Sequence, residues 1–554
     1  MINTLKQSQP PSSAPSADES AQRDLVNALL DPRCYPHAVK NVRLIETHIS
    51  WVLLAGRYAY KIKKSVDLGF VNFTSLALRR YNCEEEIRLN RRLAPRIYLD
   101  VVPIGGTPEA PALNTLPAIE YAVRMRRFAS SKQLDQLVSR GKILPCHIDG
   151  LATTIAQFHS SLPAAKAEFE YGSAAAIYSA VSKIFEQLQA LLKDSKDEAG
   201  VIALRHAGEA EYAKCLARLE QRRAGGFIRE CHGDLHLGNI ALIGQQPVPF
   251  DGIEFNPALR WIDVMSEIAF TMMDLLHCRR PDLAYRFLNA YLEATGDYSG
   301  VSVLRYYICY RATVRAMVSA IRAGQTSLPQ HARVKALASG RSFLALAAEH
   351  LAKRCPTLII THGLPGSGKT TFAQTALERF QAIRIRSDVE RKRLFGLPPL
   401  ADSRSHTGNI YGADTTRRTY ARLHELAREL LTGGALVIVD AAFLKQNERE
   451  HFCRLAQELG APFAIASLQA SAATLRARVT QRQRDSNDAS EADLAVLDSL
   501  QEKQEALSPQ ERLHAVEFFN EGDSSATELE AWGKLTRLLS THDDTDISTI
   551  QRDK

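Results

Sequence analysis

Between residues 43 and 127 apolar and polar positions alternate in short runs, and residues 49–54, 58–63, 101–104 and 119–125 each read as a strand. The turn Ala55-Gly56-Arg57 joins the first two as a hairpin. Residues 76–93 carry helical spacing instead and stop before Pro95. After Gly141 the period is helical, with Ile148, Leu151, Ala152, Ile155 and Phe158 on one face, and it stays so to about Ala352. Only residues 231–251 interrupt it. The pattern predicts a small β-rich lobe followed by a larger helical one.

A long alanine-rich helical pattern ends at Lys353-Arg354-Cys355-Pro356, where a buried-type strand begins. Beyond it, apolar runs at 357–361, 382–385, 435–439, 463–468 and 515–519 alternate with amphipathic segments. Such alternation predicts an α/β domain with a parallel sheet covered by helices. The division is therefore a tail at 1–20, an α+β domain at 21–352 and an α/β domain at 353–545. The tail, rich in Ser, Pro, Ala and Gln, buries too little apolar surface to offset the cost of ordering.

A chain of 554 residues exceeds one ordinary core, and 45% hydrophobic with 24% charged residues is globular composition. The net charge of +7 is spread among many acids, and aromatic residues do not interleave with basic patches, so no nucleic-acid partner is expected. Nine scattered cysteines without a CxxC pair read as reduced thiols. No run of ~18 apolar residues is present, so the expectation is a cytoplasmic protein without a membrane partner. Oligomeric state is not legible.

The strand Leu358-Ile359-Ile360-Thr361 leads into Gly363-Leu364-Pro365-Gly366-Ser367-Gly368-Lys369-Thr370, and a helical segment opens at Thr371. Strand, glycine loop and helix in that order make an ATP-binding P-loop. The glycines let backbone N–H groups curl around phosphates, and the helix N-terminus adds its dipole. Lys369 would reach the β- and γ-phosphates and Thr370 would hold Mg²⁺. Asp440, closing the strand Leu436-Val437-Ile438-Val439, is the candidate second acid at the metal. Asp388 ends another strand and Arg391 follows one helical turn later; Asp388 would equally serve as a helix cap. Arg478 and Arg482 share a helix face, either as lid arginines or as a solvated basic surface. This part of the chain resembles small P-loop kinases of the gluconate kinase, polynucleotide 5′-kinase and zeta-toxin type. The resemblance implies that Asp388 accepts the proton of a substrate hydroxyl, Arg391 holds the substrate, and Arg478 and Arg482 belong to a lid.

In Cys231-His232-Gly233-Asp234-Leu235-His236-Leu237-Gly238-Asn239 an Asp and an Asn are separated by four residues, the spacing of the protein-kinase catalytic loop. Phe250-Asp251-Gly252 supplies a further acid a dozen residues on. In Ala59-Tyr60-Lys61-Ile62-Lys63-Lys64, strand alternation puts Lys61 and Lys63 on one face. Residues 43–352 resemble the aminoglycoside phosphotransferase family, part of the protein-kinase-like fold. The resemblance implies Asp234 as catalytic Asp, Asn239 and Asp251 as metal ligands, and Asp263 as a support of the loop. It further implies Lys61 as the phosphate-contacting lysine and Glu86 as its partner; a surface lysine cluster is the competing reading of 61–64. No GxGxxG loop precedes Lys61, which departs from the protein-kinase pattern.

The whole arrangement looks like a family of bacterial bifunctional proteins. The expected activity is phosphoryl transfer from ATP, with Mg²⁺, to small-molecule hydroxyl groups at both sites. The alternative is a nucleotide-sensing switch whose kinase-like domain is regulatory.

Overall fold

Alternating burial along the first strands builds a six-stranded antiparallel sheet in the computed structural model of the chain, which describes residues 17–540 except 70, 167, 327, 353–354, 402–409, 411, 486–488 and 522–524. A helix, α1 (Ala17–Ala28), precedes the sheet. Its strands are β1 (Val42–Glu46), β2 (Ser50–Ala55), β3 (Tyr58–Lys63), β4 (Tyr98–Thr107), β5 (Ala110–Leu113) and β6 (Glu120–Arg126), in the order β1-β2-β3-β6-β4-β5. Helix α2 (Leu76–Asn90) lies between β3 and β4 in the chain. Trp51, Leu53, Tyr60 and Ile62 pack with Leu25 and Val26 of α1 and with Leu29 just after it, whereas Val123 and Tyr98 pack with Cys83 and Ile87 of α2. The period of two thus gives each face of the sheet its own core.

Two strands and a helix here went unread in the sequence. β1 and β5 are short and half-exposed, and α1 begins inside the segment expected to be a tail. Residues 1–16 of that tail lie outside the described residues.

Helices α3 (Leu134–Ser139), α4 (Pro145–Ser161), α5 (Ala174–Leu192) and α6 (Glu198–Ala224) follow. The interruption expected at 231–251 is two small antiparallel pairs: β7 (Ile228–Glu230) with β10 (Trp261–Asp263), and β8 (Ile240–Ile243) with β9 (Gln246–Pro249). Helix α7 (Val264–His277) comes next, and is buried along nearly its whole length. After α8 (Pro281–Thr295), α9 (Val301–Gly324) and α10 (Gln330–Leu351) complete the helical part. This first unit is α+β.

The second unit is α/β. Its strands β11 (Thr357–His362), β12 (Ile383–Arg386), β13 (Leu436–Asp440), β14 (Phe463–Gln469) and β15 (Ala515–Phe519) form one parallel sheet in the order β12-β13-β11-β14-β15. Every residue of the central β11 is buried, which is why its sequence runs Leu-Ile-Ile between two threonines rather than as an alternation. The intervening helices include α11 (Lys369–Phe380), α12 (Ser387–Arg393), α13 (Ala413–Thr432), α14 (Gln446–Glu458), α15 (Ala472–Asp485), α16 (Leu494–Glu502), α17 (Pro509–Leu513) and the final α18 (Ser525–Ser540).

Packing divides the chain into residues 1–280 with 303–352, and residues 281–302 with 353–554. The sequence reading kept 281–302 with the first domain. Their side chains explain the difference: Asn289 of α8 donates to Ala382 O at 2.8 Å and accepts from Arg384 N at 2.6 Å, satisfying the open edge of β12. Glu293 of α8 also pairs with Arg384 at 2.5 Å. No helix among the described residues is long and apolar enough to cross a membrane.

Candidate functional site

The first unit gathers its candidate residues around a cavity of about 750 Å³, lined by Lys61, Asp234, His236, Asn239, Asp251 and Glu254 among others. Lys61, on β3, lies 2.8 Å from Glu86 Oε1 of α2 and 2.7 Å from Asp251 Oδ1. The neighbouring Lys63 reaches Glu86 Oε2 at 2.7 Å and also bonds Glu254. Lys63 is 1% exposed and Lys61 only 12%, so these lysines are not a surface cluster. Burial by itself would lower the Lys61 ammonium, but Asp251 and Glu86 outweigh it and hold it well above the ordinary lysine value. Sequence reasoning missed Lys63 and Glu254 as a second buried pair; the shared strand face of Lys61 and Lys63 was the available signal.

The loop that carries Asp234 is fixed by bonds to its backbone. Asn239 Nδ2 donates to Asp234 O at 3.1 Å and to Asp234 Oδ2 at 3.2 Å. His232 Nδ1 accepts from Asp234 N at 3.3 Å, so its Nε2 donates to Phe250 O, 2.9 Å away. Glu267 of α7 accepts from Gly233 N at 2.7 Å and is held in turn by His159 of α4 at 2.8 Å. Burial pushes the Glu267 carboxyl up, but the His159 and Gly233 bonds hold it below the usual range. Asp274 of α7 accepts from Leu237 N at 3.0 Å. Gly233 has φ +85°, and a Cβ there would stand 2.7 Å from Leu259 O, so the turn into Asp234 needs glycine.

Asp263, expected to support this loop, does something else. Both its oxygens pair with Arg222 at 2.8 Å, and it caps α7 through Met265 N. Glu267 and Asp274 do the supporting, and both sit in an apolar helical pattern that gave no sign of it.

Asp251 has φ +62°, unusual for a residue other than glycine. Its N–H donates to Tyr98 Oη at 3.0 Å and the next N–H, of Gly252, donates to Asn90 Oδ1 at 2.8 Å. These bonds hold the strained backbone and turn the carboxylate toward Lys61. Burial raises the Asp251 carboxyl, yet Lys61 brings it below its ordinary value. Burial also pushes His236 down to about 4. Its Nδ1 accepts from Gly238 N, leaving an Nε2–H 3.6 Å from Asp234 Oδ2.

In the second unit the P-loop follows β11 as the sequence order requires. Gly363, Gly366 and Gly368 have φ of 143°, 84° and 96°. A Cβ on Gly363 would meet Leu468 O at 2.5 Å, and one on Gly368 would meet Asn520 Nδ2 at 2.1 Å. Leu364 anchors the loop in an apolar cluster with Leu444, Leu475 and Val479, while Pro365 follows it in the turn. Lys369 Nζ lies across the loop on Gly363 O and Leu364 O at 2.9 and 2.8 Å. Ser367 Oγ is buried with no hydrogen bond among the described residues. Thr370 and Thr371 stand on the first turn of α11.

Asp440, at the end of β13, is 5% exposed; burial pushes its carboxyl up, against Arg386 3.7 Å away and the Thr370 hydroxyl. Asp388 stands in the first turn of α12, so the N-cap position belongs to Arg386 and not to Asp388. Arg391 is 8% exposed, its guanidinium 3.3 Å from Ile410 O and from Thr416 Oγ1. Arg478 of α15 donates to Gly366 O at 3.2 Å and to Asn520 O at 3.0 Å, and Asn520 Nδ2 donates to Ser367 O at 3.2 Å. Arg482 follows one turn later on the same helix. Asn520 is a P-loop contact the sequence did not disclose, because it lies 153 residues from its partner.

Uncharacterized proteins of Mycobacterium tuberculosis and Mycobacterium bovis are each 29% identical over 476 residues, which is 83% of this chain and 90% of theirs. Among solved structures, a gluconokinase from Sinorhizobium meliloti is similar over 34% of this chain and 97% of its own, at 21% identity and a TM-score of 0.24. A choline/ethanolamine kinase family protein from Mesorhizobium loti is similar over 60% of this chain and 98% of its own, at 11% identity and a TM-score of 0.37. The family described as AAA domain matches residues 358–507, the segment that holds the P-loop, Asp388, Asp440 and Arg478. Residues 358–507 are thus the part of the chain that is similar to that family.

Proposed function

We propose that the protein is an ATP-dependent phosphotransferase acting on small-molecule hydroxyl groups, with a kinase-like site in the first unit and a P-loop site in the second. The observation that carries this reading is the convergence of Lys61, Asp234, Asn239 and Asp251 on one cavity. Those residues span 191 positions of chain and include a strained Asp251, an arrangement that packing alone does not require.

The donor sets fit Mg²⁺, a hard cation that takes oxygen ligands. In the first unit Asn239 and Asp251 would hold it. In the second, Asp440 Oδ2 is buried without a hydrogen bond among the described residues, beside the Thr370 hydroxyl. A bound metal neutralises phosphate charge at both places. The chain's own part is positional. Lys61 steadies the α- and β-phosphates, Glu86 keeps Lys61 in place, and Asp234 orients the acceptor hydroxyl and takes its proton. At the P-loop, backbone N–H groups and Lys369 grip the phosphates, and Asp388 is the proton acceptor.

Asp234→Asn in a Lys369→Ala background should lower acceptor-dependent turnover ~10²-fold or more with ATP affinity nearly unchanged. Turnover equal to that of the parent would remove Asp234 from the chemistry.

A further inference from the structure

Residues of α9 and α10 also line the cavity that holds Lys61 and Asp234. Arg315 and Arg322 of α9 are seven residues apart, two helical turns, and line the cavity together with Ser319. His331 and Lys335 of α10 are four apart and line it as well. Of the acids in the cavity lining, Asp251 is paired with Lys61 and Glu254 with Lys63, and the third is Asp234.

Several buried arginines of the unit are committed to partners within it. Arg79 is paired with Glu120, Arg222 with Asp263 and Arg260 with Glu230, and Arg311 donates to Ser266. Arg315, Arg322 and Lys335 make no ion pair or side-chain hydrogen bond among the described residues. Arg315 lies over the Phe343 ring at 5.5 Å from its centroid, and Phe343 also stacks on His277 with ring centroids 3.8 Å apart. That stack orients the guanidinium and leaves its donors free to bond a ligand.

From this we infer that the acceptor at the first site is an anionic alcohol, a phosphorylated or carboxylated hydroxy compound whose anionic group sits on Arg315, Arg322 and Lys335. The inference rests on the kinase reading above and gives its substrate class. A concave wall of one sign concentrates ligands of the opposite sign and repels like charge. Cationic acceptors, which call for carboxylates or an aromatic cage, meet the wrong wall here. The reaction balances simply. The acceptor oxygen bonds the γ-phosphorus of ATP, the bond from that phosphorus to the β-phosphate oxygen breaks, ADP leaves, and the hydroxyl proton passes to Asp234 and then to water. The anionic group on the wall takes no part in bond making; it fixes which hydroxyl faces Asp234.

The test uses the full chain carrying Lys369→Ala and matched acceptors: ribose against ribose 5-phosphate, glycerol against glycerol 3-phosphate, and kanamycin and choline as cations. The expected result is at least a tenfold preference in kcat/KM for the phosphorylated member of a pair. Arg315→Gln with Lys335→Gln should raise that acceptor's KM tenfold or more and leave the KM for ATP unchanged. Arg315→Lys should recover part of the loss. Preference for neutral or cationic acceptors overturns the inference, and so does a rise in the KM for ATP alone, which would assign the wall to the nucleotide. Calorimetric binding of ribose 5-phosphate to the unreacting protein separates the two ideas. If nothing is phosphorylated but this binding is present and falls tenfold in the double variant, the anion site stands and the kinase reading fails. If ribose 5-phosphate does not bind, the anion site fails by itself.

Discussion

Lys61 Nζ and Asp251 Oδ1 stand 2.7 Å apart, although 190 residues of chain separate them. The pair joins a strand of the antiparallel sheet to the strained residue that follows β9. Asp251→Asn removes one full charge from a candidate metal ligand and releases Lys61 to Glu86 alone. Mg²⁺-dependent ATP binding at this site should weaken by ~10-fold or more, with a smaller effect on metal-free nucleotide. Equal affinity in parent and variant, measured in the Lys369→Ala background, would refute the assignment.

The P-loop site separates binding from chemistry. Lys369→Ala should abolish nucleotide binding there with little change in folding, since its ammonium bonds loop carbonyls, Gly363 O and Leu364 O, at 2.9 and 2.8 Å. Asp388→Asn should leave ATP binding intact and stop phosphoryl transfer. Calorimetry and an acceptor-coupled assay, each in an Asp251→Asn background, report the two steps separately. An Asp388→Asn variant that turns over normally would leave Asp388 a mere helix residue.

Asn289 completes the β12 edge with one carboxamide, bonding Ala382 O and Arg384 N. Asn289→Leu strips both partners and leaves buried backbone groups unsatisfied, at a cost of about 1–3 kcal/mol. Hydrogen exchange should accelerate at the Arg384 amide. A fragment starting at Pro356 lacks α8 altogether and should show the same acceleration together with poor solubility. Protection at β12 identical to that of the intact chain would show that α8 contributes nothing to this edge.

His362, the last residue of β11, is buried and bonded to Ser467 Oγ at 3.0 Å, and burial pushes its imidazole down to about 4. Between the ordinary value near 6.5 and about 4, the unfolded chain binds a proton here that the folded chain refuses. Stability of the second unit should therefore fall as pH drops through that window, by on the order of 3 kcal/mol from this group. Urea midpoints at pH 7.5 and 4.5 measure the slope. His362→Gln should flatten it, and an unchanged slope would assign the acid sensitivity elsewhere.

Local chemistry made much of this protein legible in its sequence. Buried parallel strands are largely apolar, so five short runs rich in apolar residues announced the second sheet, and the glycines of residues 363–368 announced a backbone bent around phosphate. Asp234, Asn239 and Asp251 were readable because a catalytic loop fixes their spacing. Lys61 and Lys63 were placed on one face by the period of two. What only the tertiary structure decided depends on distance along the chain. Glu267 and Asp274 look like polar breaks in an apolar helix until Gly233 and Leu237 are found against them. Asn520 and Arg478 reach the P-loop from 153 and 112 residues away, and α8 joins a sheet that starts more than 60 residues after it. The cationic wall likewise exists only because α9 and α10 turn two separate helix faces into one cavity. Periodicity specifies which face of an element is buried, but the partner that buries it is chosen by packing and charge over the whole chain.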